Sequence, residues 1–374
     1  MPKETLELRI SFHKLLIALG FTVIPICSVG LYSLSHSQAS LENMVGTHFH
    51  AIALSGAAEV SQFIHDRVTS VGIVANGPTI VELVTNSNRS YAGMSEEAIA
   101  SRINAIEKIW NTPAADARVR EILSNPAARR LRRYRELDRR FLRITVTDAK
   151  GATVAATHKT LDYFQADEEF WQAIYAQGRG AVNLTDILYD DVTKTHYIGI
   201  GVPILEEGSN RFIGVVDALL EVSSILPLVN RPSVGATARA IIVKEDGTVI
   251  AAPQANLAMR LKSSEFEAVR DTLGNLEGRQ RGWITATLPN GVPHLIAFAD
   301  TGLKQDYGSL GWYVLLSQET RESFAPIRGA SRMLVLMALI GLLTVIFLTV
   351  YFSLHRRQTF TDIKTEAQQK PAQA

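Results

Sequence analysis

Two stretches of the chain contain no charged residue, and each is long enough to cross a bilayer. Residues 15–34 (LLIALGFTVIPICSVGLYSL) supply 20 positions and residues 333–354 (MLVLMALIGLLTVIFLTVYFSL) supply 22. At about 1.5 Å rise per residue, either run matches a hydrocarbon core of about 30 Å. Pro25 sits inside the first run, where a membrane helix tolerates it because neighbouring groups satisfy the freed carbonyl. The small residues Ser37-Gln38-Ala39 offer the alternative of a cleaved signal peptide, but a run of 20 exceeds the usual apolar region of about 7 to 15 residues. Lys3, Arg9 and Lys14 precede the first run and no Lys or Arg follows it before Arg67, which places the N-terminus in the cytoplasm. Arg321, Arg328 and Arg332 lie before the second run and Arg356, Arg357 and Lys364 after it, so its own flanks decide little. Two spans put both termini on one side and residues 35–332 outside.

The rest of the composition excludes more than it suggests. Across 374 residues, 38 Lys and Arg face 37 Asp and Glu, and a net charge of +1 gives no footprint for nucleic acid. The single cysteine, Cys27, falls in the first span, so no disulfide framework and no cysteine-rich metal site supports the body. No HExxH, GxSxG, P-loop or GxGxxG pattern occurs, and the reading is non-enzymatic, without a cofactor and without a metal site. His48 and His50, two apart on one helix, face different ways. The 186–191 loop lacks the alternating acids and distal Glu of an EF-hand.

Between the spans the period is first helical. Leu41, Val45, Phe49, Ile52, Val60, Phe63, Ile64, Val68, Val71 and Val74 recur mostly at threes and fours, predicting a long helix over 37–75 that Asn76-Gly77-Pro78 ends. Shorter helices are expected over 95–110 and 114–123. An arginine-rich helix follows, with Arg129, Arg130, Arg132, Arg133, Arg135, Arg139 and Arg140 around an apolar stripe of Leu131, Tyr134, Leu137 and Phe141, which reads as a solvated amphipathic face. From Leu142 the period becomes two. Strands are expected at 142–147, 152–156, 196–205 and 211–222, with a helix at 167–177; a second series has strands at 238–244, 248–252, 282–288, 294–299 and 312–318 and a helix at 264–273. ITVTDAKGATVAAT (144–157) and IIVKEDGTVIAAP (241–253) share their apolar alternation, Asp and Gly turn and Ala-Ala ending, so the body reads as a duplicated α+β module with antiparallel sheets.

A span, a long helix, two PAS-like modules and a second span together resemble the double Cache family of bacterial extracytoplasmic sensors. The resemblance is carried by 144–156, by DYFQADEEFWQAIYAQGRGAVNLTDILYDDVTKTHYIGIGVPIL (162–205) and by FIGVVDALLEVSSI (212–225), and it covers most of residues 41–328. It implies a cytoplasmic N-terminus (1–14), a first transmembrane helix (15–34), a stalk helix (35–78), a membrane-distal module (79–225), a membrane-proximal module (226–328), a second transmembrane helix (333–354) and a short cytoplasmic tail (355–374). It also implies a two-pass protein of the bacterial inner membrane, in contact with lipid, that binds a small molecule in the distal module and signals by motion of its helices. The 20-residue tail is expected to hold no output domain, which calls for a separate output protein read through a homodimer packed along the stalk. The alternative is a membrane scaffold or anchor that has the fold without a ligand.

Two departures bear on the ligand. Where amino-acid-binding members carry an Arg before a Trp-Tyr pair, this chain has Glu168-Glu169-Phe170-Trp171, and the family's later strand Asp falls at Leu219, with Asp217 two residues earlier. Tyr163, Trp171, Tyr175, Tyr189 and Tyr197 offer aromatic walls, and Asp186, Asp190, Asp191 and Asp217 offer carboxylates. An aromatic box with acids and no evident buried arginine suits an amine or other cation.

Overall fold

The computed structural model describes residues 12–190, 194–229, 235–253, 259–273 and 282–355. The chain forms two compact units, residues 46–323 and residues 1–45 with 324–374.

Helix α1 (Phe12–Ala75) leads into the larger unit, where Phe49, Ala53, Ala57, Val60, Ile64 and Val71 form its buried stripe. The Nδ2 of Asn76 donates to the Gly72 carbonyl (2.8 Å) and closes the helix. Helix resumes at once as α2 (Pro78–Arg89), because proline is suited to a first turn whose N–H groups have no helical partner anyway. Sequence periodicity does not announce α2, whose buried contribution is Ile80 and Val84. Then come α3 (Glu96–Ile109), capped by the Ser95 hydroxyl on the Ala98 N–H, α4 (Asp116–Ser124) and α5 (Pro126–Leu137), capped by the Asn125 carbonyl oxygen on the Ala128 N–H (2.8 Å). Leu131 is buried on α5 while Leu137 is 74% exposed. Two arginines of the basic face have local work: Arg129 and Arg132 donate to the Ser124 and Leu123 carbonyls, which lie at the end of α4.

The first sheet joins β1 (Phe141–Asp148), β2 (Thr153–Ala156), β3 (Asn183–Leu184), β4 (Leu188–Asp190), β5 (Thr195–Leu205) and β6 (Phe212–Glu221), with α6 (Glu169–Tyr175) packed on it. Its order is β2-β1-β6-β5-β3, with β4 also on β5, all antiparallel. After α7 (Leu226–Val229) the second sheet joins β7 (Arg239–Lys244), β8 (Val249–Ala251), β9 (Trp283–Thr287), β10 (Pro293–Asp300) and β11 (Trp312–Glu319) in the order β8-β7-β11-β10-β9, with α8 (Ser264–Leu273) across its face. Helices α9 (Leu303–Tyr307) and α10 (Thr320–Ser323) flank β11.

The duplication extends to single hydrogen bonds. Gly151 and Gly247 both take positive φ (81° and 82°) at the hairpin turn. The register of β1 against β2 shifts between Val146 and Thr147, and that of β7 against β8 between Ile242 and Val243. Gln165 N donates to the Gly151 carbonyl and Ser263 N to the Gly247 carbonyl, each at 2.9 Å. These matches align Arg143 with Arg239, Thr145 with Ile241 and Thr147 with Val243. Through the strand pairing they also align Asp217 with Leu315 and Gly199 with Ile296.

The other unit contains the first part of α1 and α11 (Ala325–His355), and it leaves Phe21 (80%), Leu343 (64%) and Phe347 (70%) exposed. Among the described residues no single helix is long and apolar enough to cross a membrane. Val335–Phe347 is a shorter apolar segment, and only the bent pair His36–Ala75 and Pro78–Arg89, 58° apart, reaches that length together.

Candidate functional site

On the face of the first sheet beneath α6 lies a cavity of about 260 Å³. Alternation along the strands builds its floor: Arg143 and Thr145 on β1, Asp217 and Leu219 on β6, Tyr197 and Gly199 on β5. Its roof is the connection from β2 to α6, residues 160–171, and one wall is the short stretch holding Thr185 and Leu188. The roof is pinned from the helical layer. Trp110 Nε1 donates to the Thr160 carbonyl (2.9 Å), Asn111 Nδ2 to the Leu161 carbonyl (3.0 Å), and the Glu107 carboxylate accepts the Tyr163 and Phe164 N–H groups (2.8 Å each).

The second module shows why the first is hollow. At the aligned positions it places Ile241, Val243, Leu315 and Ile296, which pack with Phe298, Phe266 and Val269 into a continuous apolar core. The first module has Thr145, Thr147, Asp217 and Gly199 there, and the space those larger apolar side chains would fill stays open. Even the arginines diverge: Arg239 pairs with Glu265, whereas Arg143 lines the cavity and reaches Asp190 with Nη1 (3.4 Å).

Among the described residues, the buried side-chain atoms without a hydrogen-bond partner are Arg67 Nε, Arg118 Nε, Arg143 Nε, Thr145 Oγ1, Thr160 Oγ1, Asp217 Oδ1 and Trp312 Nε1. Four of these seven belong to residues that line this one cavity. Thr145 is 3% exposed and Thr160 5%. Leaving a buried polar group unpaired costs about 1–3 kcal/mol, so four of them among the lining residues of one cavity set this region apart from the rest of the described core.

The electrostatics are acidic. The lining holds one guanidinium, Arg143, and three acids, Asp162, Glu168 and Asp217, and Arg143 pairs with a fourth acid, Asp190. Burial pushes the Asp217 carboxyl up to about 6, with Arg143 pulling the other way. Burial, and then the neighbouring Asp167, Asp162 and Glu169, raise Glu168 above the usual carboxylate range. Asp162, Asp167, Glu168 and Glu169 are exposed, whereas Asp190 is buried.

Of the residues singled out from sequence, Trp171, Tyr197 and Asp217 line the cavity together. Trp171 is 4% exposed, and its indole N–H donates to Thr147 Oγ1 (2.9 Å). Tyr175 lies behind it, stacked at 5.3 Å and packed on Phe212. Tyr163 belongs to the helical layer, 5.4 Å from Trp110 and bonded to Arg118. Tyr189 is 48% exposed against His196, Asp186 pairs with Lys244, and Asp190 acts through Arg143. Asp191 lies outside the described residues. Sequence reasoning missed Arg143, Thr145 and Thr160. The alternation Arg143-Thr145-Thr147 in β1 was the available signal, but it reads equally as a solvent face.

Two copies of one antiparallel α/β module behind a long helix, one solid and one hollow, define a tandem-module architecture. The chain belongs to the Cache domain family, whose dCache_1 profile matches residues 37–327. No curated protein matches in sequence. Solved structures similar to it include the ligand-binding domain of the Pseudomonas aeruginosa PAO1 amino acid chemoreceptor PctB with L-Arg (17% identity, 74% of this chain and 96% of that one, TM-score 0.43). Others are the domain of the Pseudomonas fluorescens chemoreceptor CtaA with L-isoleucine (14%, 77% and 98%, 0.46) and that of Campylobacter jejuni Tlp3 with 4-methylisoleucine (14%, 67% and 92%, 0.41).

Proposed function

We propose that the chain is a membrane-anchored extracytoplasmic sensor, non-enzymatic, which binds a small cationic ligand of the amine class in its first, membrane-distal module. Tyr197, Trp171, Asp217, Arg143, Thr145 and Thr160 form the site. The observation that carries this reading is a cavity lined by Arg143, Thr145, Thr160 and Asp217, each with a buried polar atom lacking a hydrogen-bond partner, where the duplicate module packs apolar side chains. Charge selects the ligand class: an ammonium donates to Asp217 Oδ1 and the threonine hydroxyls, with Tyr197 and Trp171 as aromatic walls. At about 260 Å³ the cavity is smaller than the usual drug-sized pocket of about 300–1,000 Å³, so the ligand is compact.

Anchoring rests on the two uncharged runs and on large apolar side chains left exposed in the unit that contains them. Occupancy shifts the arrangement of the membrane helices of a homodimer by differential affinity, and an output partner reads that arrangement. The test is thermal stabilisation of the full chain by 1,4-diaminobutane, L-arginine and succinate. Stabilisation by the cations, lost in Asp217→Asn, supports the reading. Stabilisation by succinate alone removes the cation assignment, and none by any probe returns the protein to a scaffold.

A further inference from the structure

Taking the cavity as the ligand site, we propose that Lys244 and Ser309, both in the second module, are positioning residues for its wall. The wall is weakly held by its own sheet. Strand β3 is two residues long and β4 three, and residues 185–187 between them belong to neither. Thr185 keeps one backbone bond, N–H to the Gly199 carbonyl (2.9 Å), and its Oγ1 accepts the Gly199 N–H (2.7 Å). Side chains then part in two directions. Thr185 and Leu188 line the cavity, while the residues flanking Thr185 are taken by the other module: Lys244 Nζ donates to the Asp186 carboxylate and Ser309 Oγ donates to the Leu184 carbonyl (2.7 Å).

Both donors come from one stiff corner. Lys244 ends β7, the next residue's N–H donates to the Gly311 carbonyl (2.9 Å), and Lys304 pairs with Glu245. Gly311 lies so close to Glu245 that an added Cβ would meet its Cδ at 2.4 Å. The duplication explains how the corner came free to reach across. The aligned residue of the first module, Asp148, is fully buried and spends its carboxylate at home, accepting from Ser87 (2.7 Å), Tyr91 (2.9 Å) and the turn N–H groups of Lys150 and Ala152. A lysine at that position cannot serve its own turn as an acceptor and extends outward instead. The two modules thus share one side of the site, and the position of Thr185 depends on where the second module puts its corner.

Hydrogen–deuterium exchange on the full chain in lipid nanodiscs tests this with no ligand added, so the outcome is separate from the fate of the amine assignment. Lys244→Met and Ser309→Ala, singly, accelerate exchange in residues 183–190 about two- to fivefold, the range a half-exposed pair can supply, and the double variant does so further. Residues 212–221 in the sheet centre stay unchanged, and Lys244→Arg restores the wild-type rate. Unchanged exchange in 183–190 in the double variant, equal acceleration across 212–221, or failure of the arginine to restore the rate would each overturn the proposal.

Discussion

Asp217→Asn should make the unliganded protein more stable at neutral pH, and the size of the gain should follow pH in a defined way. The wild-type carboxyl has a folded-state pKa of about 6 against an ordinary value of 3.8, raised by burial. A raised acid pKa means the fold tolerates the protonated form and resists the charged one. Below about pH 4 both folded and unfolded chains carry the proton, and Asp217 imposes no penalty. Between about 4 and 6 the unfolded chain loses its proton first, and stability falls; above 6 the folded site ionises as well and the penalty is complete. At about 1.4 kcal/mol per unit the full penalty is ~3 kcal/mol. Asparagine has the shape without the titration. Over a body of this size that amounts to a rise in Tm of roughly 5–10 °C at pH 7.5, fading to nothing near pH 4. Thermal melts of both proteins from pH 4 to 8 measure it. A difference that does not change with pH, or an Asn variant less stable than wild type at pH 8, refutes the reasoning. A cationic ligand acts in the opposite sense, and its stabilisation of the wild type should grow as pH rises through 6.

Glu107→Ala frees the two roof N–H groups of Tyr163 and Phe164 and should cost about 2–3 kcal/mol in denaturant unfolding, while Glu107→Gln, which can still accept, costs much less. Gly201→Ala drives a Cβ to 2.1 Å from Ile174 Cδ1, so the Ile174 and Phe170 side chains must give way; a loss of about 1–3 kcal/mol is expected, and an unchanged Tm would contradict the packing. Asp138 accepts from Arg67 (2.6 Å) and Arg140 (2.6 Å). Burial alone would raise its pKa, but the Arg140 bonds and the Arg67 charge hold it below the usual value. Its stabilisation is therefore present above about pH 4 and lost on further acidification, and Asp138→Asn should flatten that part of the acid unfolding curve.

The fold was legible where one period dominates. Residues 144–157 and 241–253 announced both hairpins and the duplication, because both segments repeat one apolar alternation around the same Asp and Gly turn. α2 was hidden by Asn76-Gly77-Pro78, since a proline that ends one helix can equally begin the next. β3 and β4 are too short to show a period. In the site, Asp217 and Trp171 stood out as polar or large groups in apolar runs, and the cavity contains both. Arg143 and Thr145 did not, because a sheet covered on both faces and a sheet wet on one write the same alternation. Tyr163 and Tyr175 were misleading for a related reason: composition gives the number of rings near a site, and only packing tells which side of Trp171 they occupy.

Strand β11 is the middle strand of the second sheet, paired with β7 on one side and β10 on the other. It begins directly after Gly311, at the corner that touches the cavity wall, and ends against α10, where Glu322 clamps the Ala236 and Thr237 N–H groups. Eight residues of extended backbone measure about 26 Å and have almost no slack left to take up. So taut a strand cannot absorb a displacement along its own axis. Spin labels at Tyr313 and Glu319 should accordingly keep a fixed separation whatever is added to the protein.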